Sequence, residues 1–309
     1  GAAVTAGFSW VSDASVTSVD ITDTHFNRRA EEKGADKNAV IKADATSGST
    51  LTLGFGILGV QIGPGAGVGA NIAVMKDNAT TTATMTGGGV DSARDFTLHA
   101  SGGADLAGLI IGGAGSATAG ISGGAFVSTI NHTVTSRLDD AFVNLEGDLA
   151  VKAENTSNVG RNKGTRFTVA NAAASAIASV GVGVSYIYVT DKVTANANNV
   201  SVHAGSMTVK ADEKSNADAV TVNLAGSLVG GGTVNVVLPV LDGAAEASVT
   251  STKGETKDGA AVGVTTTGDM TVAATNEQWL RTHLWSFALT ANPMVPSGTV
   301  NVCVSQANL

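Results

Sequence analysis

Several residue types are scarce in this sequence of 309 residues. A single cysteine, Cys303, excludes an internal disulfide, and only 4 prolines interrupt the chain. Aromatic residues make up 4% and charged residues 14%, whereas about a quarter of an average soluble domain is charged. The mean hydropathy of +0.19 nevertheless excludes charge-rich disorder, because enough apolar surface is present to offset chain entropy. We therefore expect a folded chain with a thin core of small apolar residues.

The charge balance narrows the class of partner. The net charge is -8 and the isoelectric point is near 5.0, whereas a nucleic-acid-binding domain presents a basic face. The same balance argues against attachment to anionic membranes through a polybasic segment. The first residues, Gly1 to Val4, lack the charged start of a signal peptide. If the protein is exported, we expect its signal to lie upstream of this sequence.

The abundant residues are Ala, Val, Thr, Ser, Gly and Asn. Val and Thr favour strands, because branching at Cβ restricts χ1 and packs well on a pleated surface. Apolar and polar residues alternate, for example at Val220, Val222 and Leu224, which is the period of a strand and not of a helix. Glycine clusters interrupt this alternation and supply tight turns. The pattern predicts an all-β fold with several short strands in each unit, joined at Gly, Asn or Asp corners.

One motif recurs along the chain, a polar turn followed by alternating residues that end in Val-Lys-Ala or a close variant. Its five copies are centred on Ile41, Leu98, Val151, Val209 and Val272. The steps between these residues are 57, 53, 58 and 63, so the period is about 58 residues. Repetition at such a period indicates stacked repeats, here about five units.

A second motif, a glycine-led alternating strand, lies between the copies of the first. Its copies begin at Gly67, Gly181, Gly232 and Gly298. An Asp follows three of these strands, at Asp77, Asp191 and Asp242. Asp77 and Asp191 are 114 residues apart, which is two units of 57. The two motifs therefore indicate the same period.

Strands that recur in this way, without long helices between them, indicate a coiled parallel ladder whose layers lie roughly 4.8 Å apart. With two or three layers in each unit, the chain would form a rod roughly 50–70 Å long. We expect residues 1–309 to be one solenoid segment of a longer array, because neither end shows a polar cap. The charged stretches 27–37, 160–166 and 252–257 are expected to be loops, and residues 28–33 also have helical propensity.

The alternation Met207-Thr208-Val209-Lys210-Ala211-Asp212, combined with a Gly-Val-Gly-Val strand, resembles the leukotoxin-type and filamentous-haemagglutinin-type repeat adhesins of Gram-negative two-partner secretion. The resemblance covers most of the chain and rests on pattern. It implies a right-handed parallel β-helix, export through an outer-membrane secretion partner, and a secreted or cell-surface location. It also implies a role in adhesion or as an extended stalk, and it assigns no functional residues.

Residues that catalysis or cofactors require do not form a known motif. The stretch Gly65–Ala70 is followed neither by a clear helix nor by the acidic residue that a dinucleotide site needs. The five histidines lack the spacing of metal ligands. They are His25, His99, His132, His203 and His283. We therefore predict no catalytic residue, no metal site and no cofactor, and we expect the chain not to be an enzyme.

Lysines recur at one position of the first motif, as Lys42, Lys152 and Lys210. If the repeats stack, these side chains form a column on the outside. The simplest interpretation is an outward position that keeps the protein soluble. The alternative is a basic stripe for acidic glycans, since polysaccharide lyases and glycosidases also use parallel β-helices.

The stretch from Asn276 to Pro296 is the least repetitive. Trp279 and Trp285 are six residues apart, so they share one face if this stretch is a strand. Together with Arg281 they form a candidate surface contact for a glycan or a protein. The alternative is an inserted loop that folds over the side of the ladder.

These observations favour a structural or adhesive stalk segment of a secreted or cell-surface bacterial filamentous protein. Its partners would be a host or bacterial surface receptor, either protein or glycan, or neighbouring copies of itself, but not nucleic acid. Two alternatives remain: a carbohydrate-active β-helix acting on acidic polysaccharide, and a self-assembling extracellular filament subunit.

Overall fold

The computed structural model describes residues 2–27, 38–60, 65–160, 167–251, 256–257, 260–261 and 263–308. Within these residues the regular structure consists of β-strands, and no helix is present. No helix of the described chain is therefore long and apolar enough to cross a membrane. The all-β prediction is confirmed. The helical propensity at residues 28–33 and most of the three charged stretches fall outside the described residues.

Twenty strands occur in the described residues. In chain order they are β1 (Ala2–Thr22), β2 (His25–Phe26), β3 (Val40–Thr46), β4 (Ser49–Val60), β5 (Ala66–Thr86), β6 (Gly89–Ala93), β7 (Asp95–Ser116), β8 (Ala119–Asp139), β9 (Phe142–Leu145), β10 (Asp148–Val159), β11 (Phe167–Ser175), β12 (Ala178–Ala204), β13 (Ser206–Ser227), β14 (Gly230–Ser251), β15 (Thr256–Lys257), β16 (Ala260–Ala261), β17 (Val264–Thr266), β18 (Met270–Thr290), β19 (Gly298–Cys303) and β20 (Gln306–Asn308). Several strands exceed 20 residues, so the expectation of several short strands in each unit is wrong for these parts of the chain.

The strands form three long parallel ladders. Sheet A follows the order β1-β5-β8-β12-β14, and β14 also pairs with β19 and β20. Sheet B joins the short strands β2, β6 and β9 to the end of β12, which also pairs with β17. Sheet C runs from β3 and β4 through β7, β10 and β11 to β13 and β18. The short pair β15–β16 is antiparallel.

Neighbouring strands of a ladder come from consecutive repeats. Val151 lies directly beside Leu98 on one side and Val209 on the other, and Val209 lies beside Val272. Four of the five predicted anchors are therefore in register. The first anchor, Ile41, is shifted by two residues, because it faces Phe96.

Each repeat contributes one layer and not the predicted two or three. Consecutive anchors are direct neighbours, so no further layer fits between them. Sheet A has six layers, from β1 to β19 and β20, which span about 24 Å at the usual strand spacing. The predicted length of 50–70 Å is therefore too large, because the residues of each repeat are used along long strands instead of in extra layers.

The corners between sheets A and B repeat in the first four layers. Asp23, Gly87, Asp140 and Asn199 occupy them with φ angles of 47°, 70°, 51° and 53°. Left-handed backbone suits Gly, Asn and Asp better than other residues. The corners also bond to one another, since the Gly87 amide donates to the Asp139 carbonyl at 2.9 Å. The predicted Gly, Asn or Asp corners are confirmed here.

Inward side chains of sheets A, B and C form two buried hydrophobic clusters in the described residues. The first lies near sheet B and includes Leu98, Leu138 and Val209. The second lies between sheets A and C and includes Ile110 and Phe126. Both use mainly Ala, Val, Leu and Ile, as expected for a thin core.

Phe126 is fully buried in the second cluster, beneath Gly108, where an added Cβ would lie 2.3 Å from its ring. We predict that Phe126→Ala lowers the free energy of unfolding by about 3–5 kcal/mol, because it leaves a cavity. Val127→Ala, one residue along and facing outward, is the matched control and should cost about 1 kcal/mol. Urea denaturation measures both, and equal losses would contradict the assignment of inward and outward faces.

Candidate functional site

The three predicted contact residues lie together on an outer strand. Trp279, Arg281 and Trp285 all belong to β18 and occupy alternate outward positions, and we call them the outer tryptophan row. β18 pairs in parallel with β13 over its whole length, so the alternative of an inserted loop is wrong. The indole of Trp279 is 37% exposed and that of Trp285 is 57% exposed. The Arg281 Nε donates to His283 Nε2 at 2.7 Å.

This arrangement suits a ligand with both apolar and polar faces. The two indoles flank a guanidinium on the free edge of sheet C, and β18 pairs only with β13 among the described strands. Aromatic rings supply flat contact area, while Arg supplies directional donors. These properties fit the predicted glycan or protein contact, which stays a prediction.

The lysine column is only partly in register. Lys152 and Lys210 are direct neighbours, but Lys42 lies beside Thr97, two residues out of line. The Lys210 Nζ lies 2.6 Å from Asp212 Oδ2, and this hydrogen bond raises the pKa of Lys210. The expectation that all three lysines stack is therefore wrong, and acidic side chains accompany the two that do.

A second arrangement, which the sequence motifs did not predict as a site, lies inside the fold. We call it the buried polar cluster. Its members are Asp77, His132, Asn155, Asp191, Glu213 and Ser215, and each is at most 2% exposed. Sheet A supplies Asp77, His132 and Asp191. Sheet C supplies Asn155, Glu213 and Ser215, which face them. The cluster therefore joins two sheets across several layers.

His132 is the centre of the buried polar cluster. Its Nε2 lies 3.3 Å from Asp77 Oδ2, and its Nδ1 lies 3.2 Å from Asn155 Oδ1. The backbone amide of His132 donates to Asp191 Oδ1 at 3.0 Å. The Asn155 amide donates to Asp191 Oδ2 at 2.9 Å. Through its ring and its backbone amide, His132 thus contacts groups from three neighbouring layers.

Glu213 extends the cluster toward the next layer. The Ser215 hydroxyl donates to its carboxylate, which covers Gly243 so closely that an added Cβ there would lie 2.4 Å from Glu213 Oε2. Only a glycine leaves room for the carboxylate at this position. The packing therefore fixes the Glu213 side chain inside the fold.

Burial and mutual charge shift the pKa values in this cluster. Burial raises the pKa of Glu213 to about 7, against the hydrogen bond from Ser215 and with help from the Asp191 charge. Burial also raises the pKa of Asp191. Burial alone would lower the pKa of His132, but the carboxylates of Asp77 and Asp191 outweigh it, so this pKa is raised.

The cluster separates the two hydrophobic clusters. In β8, Ile130 belongs to the second hydrophobic cluster and Val134 to the first, with His132 between them. In β13, Ala211 and Ala217 lie on the two sides of Glu213 in the same way. Charged residues at inward positions of otherwise apolar strands were the sequence signal for this site.

The predicted equivalence of Asp77 and Asp191 is two residues out of register, because Asp77 faces Ile130, which faces Val189.

A separate row of asparagines, which we call the amide ladder, forms side-chain hydrogen bonds from layer to layer. Asn171 donates to Asn223 at 3.0 Å, Asn223 to Asn235 at 2.5 Å, and Asn235 to Asn301 at 3.1 Å. Buried amides are costly unless they are hydrogen-bonded, and here each amide donates to the next. Such a ladder fixes the alignment of the layers.

Neither arrangement has the geometry of a metal centre. Among the residues that the structure describes, no three His, Cys, Asp or Glu side chains are grouped so that they could hold a metal ion. Comparison with known protein families, with curated proteins and with solved structures finds no match for this chain.

The raised pKa of Glu213 makes stability depend on pH. A carboxyl with a pKa of about 7 when folded and 4.5 when unfolded binds more protons in the folded state between these values. Stability therefore falls as pH rises from about 4.5 to 7. We predict that Glu213→Gln unfolds with nearly the wild-type free energy at pH 4.5 and is more stable by about 2 kcal/mol at pH 8.

Urea denaturation at the two pH values measures this difference. Glu154→Gln, an exposed carboxylate on β10, is the control and should change stability little at either pH. A residual decline with pH should remain in Glu213→Gln, because the raised pKa of His132 acts in the same direction. A Glu213→Gln variant less stable than wild type at pH 8 would contradict the proposed burial of the charge.

Proposed function

We propose that this chain is a segment of a right-handed parallel β-solenoid, with about five repeats, that serves as a structural and adhesive stalk. The observation that carries the proposal is the pairing, in which strands of consecutive repeats lie side by side and parallel in all three ladders, with four of the five anchors in register. Such a stack can be extended by adding layers, because each layer contacts only its neighbours. Extension without a change of fold is what a stalk requires.

The ladders also supply the rigidity of a stalk. The amide ladder from Asn171 to Asn301 and the buried polar cluster both cross layer boundaries. Displacing one layer would leave buried polar groups without partners, at a cost of about 1–3 kcal/mol for each group. The register is therefore specified by more than apolar packing.

The location follows from the resemblance to the two-partner-secretion adhesins. We propose that the protein is secreted or displayed at a bacterial cell surface, and that an outer-membrane partner exports it. The scarcity of cysteine fits a chain that folds outside the cell without disulfides. No catalytic role is proposed.

The outer tryptophan row is the proposed adhesive contact, with a surface glycan or protein as its partner. Two exposed indoles beside Arg281 are typical of residues that carry much of the binding energy in interfaces. Assembly with further copies is a second candidate. It is favoured by the free sides of β1 and β18, each of which pairs with one neighbour among the described strands.

The adhesive contact can be tested with the purified chain on glycan and surface-protein arrays. We predict that Trp279→Ala combined with Trp285→Ala weakens binding by roughly tenfold or more, because truncated aromatic anchors dominate such losses. Binding is measured by biolayer interferometry on each ligand that the unmodified chain captures.

The control is Thr208→Ala combined with Thr97→Ala, two outward positions of sheet C away from the row. These changes should leave binding within about twofold. Failure of the unmodified chain to bind any surface glycan or protein would contradict the adhesive role.

A further inference from the structure

One end of each layer reverses the usual distribution of polar and apolar side chains. In β12, residues from Ser179 to Ser185 turn Ser and Gly inward, while the valines between them face outward. In β14, Thr233 and Asn235 are buried and the neighbouring valines face outward. Soluble sheets normally place apolar residues inside and polar residues outside.

Sheet C shows the same reversal on the opposite side of the interior. In β13, Thr221 and Asn223 are fully buried, while Val222 and Leu224 face outward. In β7, Leu109 and Ile111 are 42% and 52% exposed. Sheets A and C share a buried hydrophobic cluster, so these two outer faces point away from each other.

The two reversed faces meet at the turns that connect sheet C to sheet A. We call the two faces and these turns the apolar end. It contains most of the exposed large apolar side chains of the described residues. They are Val4, Phe8, Trp10, Ile72, Leu109, Ile111, Ile121, Ile177, Val180, Leu224, Leu228, Val229, Trp285, Phe287, Leu289, Met294, Val300, Val302 and Val304. Met294, in a connecting turn, is 88% exposed.

The sequence excludes charge from this end. The sequence stretches within which its described residues lie contain no Asp, Glu, Lys or Arg. These stretches are 1–12, 45–75, 106–136, 167–190, 219–241 and 282–309. A narrow interior explains the small inward residues, since an added Cβ at Gly120 would lie 2.7 Å from the Ala174 carbonyl oxygen. It does not explain the missing charges on the outside, where water would favour them.

Aromatic side chains mark the limit of the apolar face on sheet A. Trp10 and Tyr186 lie in the same row of the register, and Tyr188 lies in the next row, which continues through Thr129 to Lys76 and Ser12. The rings of Tyr186 and Tyr188 are stacked with centroids 6.3 Å apart. Trp and Tyr prefer the boundary between an apolar phase and water, where the ring is buried and the polar atom stays hydrated.

We propose that the apolar end attaches the protein to a lipid surface. An apolar surface on two opposite faces and on the turns between them fits a medium that surrounds the end. A second copy of the chain would cover only one of the two faces. The absence of basic residues indicates that hydrocarbon contact, and not attraction to anionic headgroups, provides the binding. This inference does not depend on the proposed adhesive function.

The geometry also indicates how the apolar end would enter a lipid bilayer. From the turns to the aromatic row the apolar face is about 30 Å long at the usual rise of a strand, similar to the hydrocarbon thickness of a bilayer. The free sides of β1 and β18 carry unpaired backbone groups, which hydrocarbon disfavours. The turns have small and apolar side chains, so we expect them to enter first and the strand edges to limit the depth.

Flotation with pure phosphatidylcholine vesicles tests the proposal, because these contain neither glycan nor protein. The unmodified chain should float with the vesicles, and brominated lipid should quench its tryptophan fluorescence. Val184→Lys combined with Leu224→Lys places one charge on each face of the apolar end. This variant should lose about tenfold or more of its vesicle binding.

The matched control is Thr135→Lys combined with Ala150→Lys, which adds the same charge to outward positions of the same two sheets in the charged part of the layers. It should bind vesicles as the unmodified chain does, and circular dichroism should show that both variants are folded. Absence of flotation by the unmodified chain, or equal binding by the two variants, would overturn the proposal. So would a dimer in lipid-free solution that only the first variant abolishes.

Discussion

Backbone hydrogen bonds between parallel strands place each residue beside its counterpart one repeat away, as Val151 lies between Leu98 and Val209. This pairing decides which side chains meet throughout the molecule. A residue that suits an inward position in one layer contacts the same position in the next layer. This requirement explains the repeat of about 58 residues and the corners at Gly, Asn and Asp. It also explains why the amide ladder and the buried polar cluster run from layer to layer.

Along the strands, the same register divides the molecule into chemically different parts. The first hydrophobic cluster, the buried polar cluster and the second hydrophobic cluster follow one another, and the apolar end lies beyond them. The charged outward residues accompany the first part, where Lys152 and Lys210 lie near Glu154 and Asp212. Because each layer repeats this order, a local preference in one repeat becomes a surface in the stack. The proposed adhesive contact and the proposed lipid attachment therefore lie on neighbouring parts of the stack and share Trp285.

Much of this fold could be predicted from the sequence. The anchors from Leu98 to Val272 are in register because alternation and a fixed period together specify the pairing. The predicted register of Ile41 was wrong, because a shift of two residues keeps the same side chains inward and so leaves the sequence pattern unchanged. The predicted number of layers in each repeat was wrong for a different reason, because the alternation of apolar and polar residues does not show where a long strand ends. The buried polar cluster was missed because its partners, such as His132 and Asn155, come from different sheets.

The central claim, one layer in each repeat, can be tested by oxidative cross-linking of cysteine pairs in a Cys303→Ser background. Thr156 and Lys214 are direct partners with outward side chains, and strand neighbours lie about 4.8 Å apart, within disulfide range. The account predicts that Thr156→Cys with Lys214→Cys cross-links readily within one chain. Thr156→Cys with Asp212→Cys, offset by two residues to roughly 8 Å, should cross-link poorly. Equal cross-linking of the two pairs, or none in the first, would contradict the register.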